Sequence, residues 1–246
     1  MTRRSFFIAL AACMLFAACG KDDANNGTDN NGNGGGNGTD TGTETAGWVD
    51  LGLPSGLLWA KCNLGASSPE EYGDYYAWGE TEPKEVYNWS TYRYCTTYAE
   101  GGFKTLTKYN IYSGYGTVDN LTTLEAMDDA ATQRLGSSAR IPTKAEWEEL
   151  LDNTLSELTT LNSVYGRMLT SKVNGRSLFL PAAGNRWENV LRDAGEEGYY
   201  WSSSLNADDP DDSNDALSFD FLEGGYNLGD SRRCSGLSVR PVRSAR

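Results

Sequence analysis

Apolar and polar positions divide this chain into three stretches. Ser5 to Ala18 is almost wholly apolar, and Ala24 to Ala46 is Asn, Gly, Thr and Asp with almost no apolar residue. From Gly47 onward apolar and aromatic residues return at short intervals, and all seven tryptophans lie there. The first stretch is too short for a spanning helix, which needs about 20 residues. The second cannot bury a face and is expected to be a disordered tether, with an r.m.s. span of roughly 25–30 Å. The third, residues 47–246, is long enough for one sizeable core that buries about 70% of the unfolded surface. It is predicted to be a single domain.

Within residues 47–246 the spacing predicts short strands and few helices. Trp48 to Leu51 and Leu57 to Lys61 flank the turn triplet Pro54-Ser55-Gly56 and read as strands. Ser68-Pro69-Glu70-Glu71 has the signals of a short helix start, and Asp128 to Leu135 is a second candidate, with Gly136 placed to stop it. The best helix begins at Thr143, where Thr143-Lys144-Ala145-Glu146 spells a capping box and Trp147, Leu150 and Leu151 follow at helical spacing. Met168 to Val173 and Arg176 to Leu180 straddle Asn174-Gly175, a strong hairpin signal. Leu217, Phe219 and Phe221 alternate with Ser218 and Asp220, as in a half-buried strand, and Glu223-Gly224-Gly225 turns it toward Tyr226 to Leu228. Leu237, Val239 and Pro241 alternate in a final strand whose proline suggests an edge or a strand end.

The N-terminus carries an address. Arg3 and Arg4 precede the apolar run, and Ala17-Ala18-Cys19 closes it, giving the three parts of a secretory signal peptide. Leu15-Phe16-Ala17-Ala18-Cys19 resembles a bacterial lipobox, with Phe16 where leucine is commoner. The resemblance implies cleavage of residues 1–18 and acylation of Cys19, which becomes the partner of outer-membrane lipid. The alternative is an ordinary cleaved signal with an incidental cysteine. Lys21, Asp22 and Asp23 resemble the export signal of surface lipoproteins in the Bacteroides group, which implies the outer face of the outer membrane. A solvated tether, residues 19–46, would look much the same.

Charge and composition then narrow the chemistry. The chain carries a formal charge of -13, and losing residues 1–18 removes Arg3 and Arg4 and no acid, leaving -15. Such a surface repels phosphates, so nucleic acid is not an expected partner. Histidine is absent, which removes the commonest general base and zinc ligand and every Ser-His or Cys-His pair. No enzyme activity is expected, and no cofactor. No CxxC motif supports a structural zinc site.

Several segments together resemble the Fibrobacter succinogenes major paralogous domain. They are Val49 to Leu53, Leu58 to Ala66, Tyr72 to Glu80, Arg140 to Trp147, Leu180 to Gly184, Tyr200 to Ser204 and Gly236 to Val242, in order. The resemblance implies an α+β fold of C-type-lectin-like kind, with short strands, one or two main helices, long loops and terminal strands that pair. The calcium-lectin signatures Glu-Pro-Asn and Trp-Asn-Asp are absent, since Glu82-Pro83 is followed by Lys84 and Trp89 is preceded by Asn88. Pairing of Leu57–Lys61 with Leu237–Val242 places Cys62 and Cys234 just outside the paired ends, so a Cys62–Cys234 disulfide is expected, with Cys95 left over.

The candidate ligand residues lie mostly in the C-terminal part, where related lectin-like domains place their binding surface. Asn206, Asp208, Asp209, Asp211, Asp212, Asp215, Tyr226, Asn227, Asp230 and Arg232 stand between the apolar anchors and are expected to point outward, as is Arg233. Trp187, in a polar stretch, is expected to help as an exposed aromatic. The Asp208–Asp215 run has the oxygen density for calcium but lacks the EF-hand glycine and closing glutamate, so a solvated loop is the other reading. Trp59, Trp78 and Trp201 are read as core. The leading expectation is a non-catalytic, adhesin-like surface module for a glycan or protein ligand. The alternative is a structural or accessory subunit of a surface assembly such as a pilus tip.

Overall fold

The computed structural model describes residues 47–98, 104–208 and 213–245. Cys19, Lys21, Asp22, Asp23, Asp209, Asp211 and Asp212 lie outside the described residues. In chain order the elements are β1 (Trp48–Asp50), β2 (Leu57–Ala60), β3 (Cys95–Tyr98), β4 (Lys104–Leu106), α1 (Ala130–Leu135), β5 (Ala139–Arg140), α2 (Lys144–Asp152) and β6 (Thr154–Leu161). They continue with β7 (Val164–Ser171), β8 (Ser177–Pro181), β9 (Asn185–Trp187), β10 (Val190–Arg192), β11 (Gly198–Leu205), β12 (Asp215–Leu222), β13 (Gly225–Arg232) and β14 (Val242–Ser244). Among the described residues short strands dominate and two α-helices stand among them, a mostly β arrangement compatible with α+β.

The first and last strands share one sheet, in the order β1-β2-β14-β5. Gly56, at φ 69°, makes the turn that lets β1 and β2 pair with Trp48 opposite Ala60. β14 then adds to the other side of β2 with Val242 opposite Trp59.

A second sheet, β11-β12-β13, divides the interior. Tyr200 lies opposite Phe219 and Phe219 opposite Leu228, while on the other face Trp201 lies opposite Ser218. Tyr200, Phe219, Phe221 and Leu228 belong to one apolar cluster with Trp59 and Trp147; Trp201, Leu205 and Ala216 belong to another with Trp78 and Tyr109. The central strand β12 is therefore covered on both faces. That is why Ser218 and Phe219, adjacent in sequence, are both fully buried, where alternation alone predicted a half-buried strand. Leu217, expected among the inward anchors, is only half-buried. Gly198 faces Phe221, and a Cβ there would come within 2.3 Å of the ring, so only glycine fits.

α2 lies across this sheet. Its capping box forms as predicted: the Thr143 hydroxyl accepts from the Glu146 N–H, and the Glu146 carboxylate accepts from the Thr143 N–H. Glu146 also holds Arg140 through two hydrogen bonds. Trp147 and Leu150 face inward, and the Trp147 ring stacks on Phe219 at 4.9 Å. β6, β7 and β8 form a third antiparallel sheet, with Gly175 at φ 72° in the predicted hairpin turn. α1 starts two residues later than expected, after Asp129, whose side chain accepts from the Thr132 N–H, and stops at Gly136.

Three expectations are corrected. Ser68 to Glu71 forms a turn closed by Glu71 N–H to Ser68 carbonyl at 3.2 Å, not a helix, because no apolar stripe follows to dock one. The stretch Leu237 to Pro241 is not a regular strand. It threads the interior and makes single bridges to different neighbours, Tyr76 with Leu237 and Tyr200 with Ser238, before β14 begins. The Cys62–Cys234 disulfide does not form. Leu64 donates to Val239, Tyr76 to Leu237 and Trp78 to Arg233, so the register sets Cys62 near residues 239–241 and Cys234 beside Trp78. The two thiols therefore sit against different neighbours and are not bridged. Burial pushes the Cys234 thiol up to about 12.

Candidate functional site

The expected ligand residues fall at opposite ends of β13, about 20 Å apart along the strand. At its start, the two-residue turn Glu223-Gly224 delivers Tyr226 and Asn227 to the surface. Tyr226 shares the face of Phe221 and Phe219, yet it is 47% exposed, so its ring bridges core and solvent. Arg167, on β7, supports it from within. The guanidinium lies 5.1 Å from the Tyr226 ring and 5.4 Å from that of Phe221. It donates to the Ser156 hydroxyl at 2.7 Å and the Gly225 carbonyl at 2.9 Å. Burial lowers the Arg167 pKa, and no carboxylate answers its charge among the described residues. The Arg167 stack thus fixes the angle of Tyr226 on a stiff base.

Across from Tyr226, α2 presents Glu148, Leu151 and Asp152, spaced i, i+3, i+4 and therefore on one helix face. Together with Tyr226, Asn227 and Leu228 they line a cleft of about 380 Å³. Glu148 is exposed on the outer face of α2; its placement opposite Tyr226 is what the sequence reading missed. Acid, apolar and acid on the outer face of the best-capped helix was the only available signal. Its neighbour Glu149 instead accepts hydrogen bonds from the Ser55 N–H and hydroxyl.

At the far end of β13, the Arg232 guanidinium lies 5.2 Å from the Trp187 ring. Trp187 is half-buried against the core rather than fully exposed, because β9 folds back on β10 and tucks it in. Asp215 pairs with Arg232 across the ladder and is half-buried. Asn206 is half-buried, donates its N–H to the Asp215 carbonyl and accepts the Asp208 N–H, so it serves loop geometry. Asp208 is exposed, 3.8 Å from Lys144. Asp230 is exposed on β13. Among the described residues no group of three or more His, Cys, Asp or Glu side chains is arranged to hold a metal ion.

Arg233 corrects the expectation that it points outward. It is fully buried and donates to the Tyr92 hydroxyl and to the carbonyls of Lys108, Tyr109 and Ser213, at 2.8–3.0 Å. Arg240 is caged likewise, by Asn63 Oδ1 and the carbonyls of Ala60, Lys61 and Phe179. Both are structural.

Asp220, opposite Asn227 and Tyr199 on the other face of β12, is the titratable group nearest the strand's centre. Burial pushes its carboxyl up to about 6; the Ser218 hydroxyl at 2.6 Å opposes that rise, and the charges of Asp230 and Glu197 add to it. A raised folded pKa stabilises the fold below the unfolded value near 4 and loses that contribution as pH rises through about 6. Asp220→Asn is therefore expected to raise the midpoint of thermal unfolding at pH 7.5 and leave it unchanged at pH 4. Allowing for solvent screening, the gain at neutral pH is about 1–2 kcal/mol. An equal shift at both pH values would remove the ionised Asp220 as its cause.

No protein family, curated protein or solved structure matches the chain.

Proposed function

We propose that this chain is a lipid-anchored surface protein whose 47–246 domain, C-type-lectin-like in kind, binds a glycan or protein ligand without transforming it. The cleft between α2 and β13 carries this reading. It sets an exposed tyrosine, an amide and two carboxylates on stiff elements, groups that hydrogen-bond and stack against a neutral or cationic ligand. The anchor and the outward address come from Cys19 and from Lys21, Asp22 and Asp23. A second reading, a subunit of a surface assembly, draws on the outer edge of β13, where the sheet ends.

A glycan and host-protein array with the full chain in detergent micelles tests the binding reading. The double variant Tyr226→Ala/Asn227→Ala is expected to lose the array signal, about tenfold or more in affinity, with a thermal midpoint within a few degrees of the parent. Trp187→Ala/Arg232→Ala, at the other end of β13, is expected to keep it. The reverse pattern would move the site to the Trp187 end, and an empty array would remove the binding reading.

A further inference from the structure

β13 closes its sheet with a clean edge. Its pairing with β12 runs unbroken from Asp215 opposite Arg232 to Leu222 opposite Gly225. Leu222 and Gly225 bracket the two-residue turn, so Asn227, Gly229 and Ser231 turn their peptide groups toward β12. Tyr226, Leu228 and Asp230 therefore turn theirs outward. Among the described residues no further strand pairs there. Protein edges of this length are usually blunted by proline, charge or a bulge; β13 has neither proline nor bulge, and its two charged residues, Asp230 and Arg232, lie toward the end away from the cleft.

The cleft opens against that same edge. Tyr226 and Leu228 point to one face of β13 and Asn227 to the other, and β13 is the outer strand of its sheet, so the cleft that these residues line lies at the sheet's margin. Its opposite wall carries Glu148 and Asp152. A peptide laid along β13 would present every second side chain to this space. Charge decides what it holds: the chain is acidic overall, and both ionisable groups of the far wall are acids. A second copy, at -13 itself, is repelled; a basic segment is drawn in.

We infer that the outer edge of β13 takes an extended segment of a partner protein as an added strand, seating a lysine or arginine between Tyr226 and the carboxylates of Glu148 and Asp152. Main-chain hydrogen bonds supply affinity and the cleft supplies selection. The inference rests on the cleft being the ligand site and names the class of ligand.

The test uses dye-labelled peptides and fluorescence anisotropy with the full chain in detergent micelles. One peptide alternates lysine and threonine, a second has glutamate for lysine, and a third is the lysine peptide interrupted by prolines. The first is expected to bind, and the others to bind at least about tenfold more weakly. Glu148→Gln/Asp152→Asn should weaken the first by about tenfold without moving the thermal midpoint. Asp230→Pro removes an outward N–H and no ladder bond and should abolish binding, whereas Asp230→Asn should retain it. Should the proline variant fail to fold, the proline-interrupted peptide reads the same edge. Equal binding of the lysine and proline peptides would overturn strand addition, and indifference to the Glu148/Asp152 variant would overturn the cationic seat. A dimer dispersed by Asp230→Pro would give the edge to a second copy instead. If no peptide binds while array binding still depends on Tyr226 and Asn227, this inference fails and the cleft remains the ligand site; if both fail, so does the binding reading.

Discussion

Replacing Arg240 with methionine is expected to lower the unfolding midpoint by about 10 °C, a loss of about 3–5 kcal/mol. The change removes one fully buried guanidinium and strands four acceptors: Asn63 Oδ1 and the carbonyls of Ala60, Lys61 and Phe179. Three of the four bonds are buried, so those acceptors keep their desolvation cost without a donor. An apolar replacement of a buried ion pair is often harmless because both charges leave together. Here the partners are a side-chain amide and main-chain carbonyls, and they stay. Arg240→Lys should be intermediate, since a single ammonium cannot serve acceptors spread around a planar fork. Thermal denaturation followed by circular dichroism reads the series; a midpoint unchanged in Arg240→Met would show that the cage does not hold the fold.

Cys19→Ser is expected to move the protein from the membrane fraction to the soluble fraction. Each buried methylene contributes about 0.8 kcal/mol to anchoring, and several acyl chains together hold durably where a single one does not. The serine variant changes one residue and would lose only the proposed attachment point. Replacing Lys21, Asp22 and Asp23 with alanine should leave the protein membrane-bound but hide it from protease added to intact cells. Persistent membrane association of Cys19→Ser would refute acylation at that residue. Continued cleavage of the triple-alanine protein on intact cells would refute the export signal.

Features that depend on a few neighbouring residues were legible in the sequence. The Thr143–Glu146 capping box formed as read, and Asn174-Gly175 does turn the chain, though in a longer loop that ends β7 at Ser171 and starts β8 at Ser177; both geometries close within a few residues. What depends on distant partners was not legible. Leu237 to Pro241 alternates like a strand, yet its neighbours change from residue to residue, so no single ladder forms. The disulfide expectation failed for the same reason: nothing local sets the register that carries Cys234 past Cys62 to Trp78. At the candidate site, Tyr226 and Asn227 were found by polarity and aromatic character, and both are exposed. Glu148 and Asp152 meet them only because α2 lies across the second sheet. Arg233 misled because polarity predicts solvent, whereas a ring of carbonyls can take a cation inside.

The two arginine cages are expected to close late in folding. The Arg240 guanidinium collects acceptors 177 and 180 residues earlier in the chain, and the Arg233 guanidinium reaches a carbonyl 124 residues back. Until the segment from Arg233 to Ser244 arrives, the Lys61 and Tyr109 regions lack their buried donors and β2 lacks β14. Contacts of such sequence separation form late and slowly, because loop closure precedes any reward. A nascent chain that stops short of Arg233 therefore lacks both buried guanidinium donors and one strand partner of β2. For a protein exported as proposed, that delay is useful: the polypeptide stays threadable until the Arg233–Ser244 segment emerges, and the core locks only then.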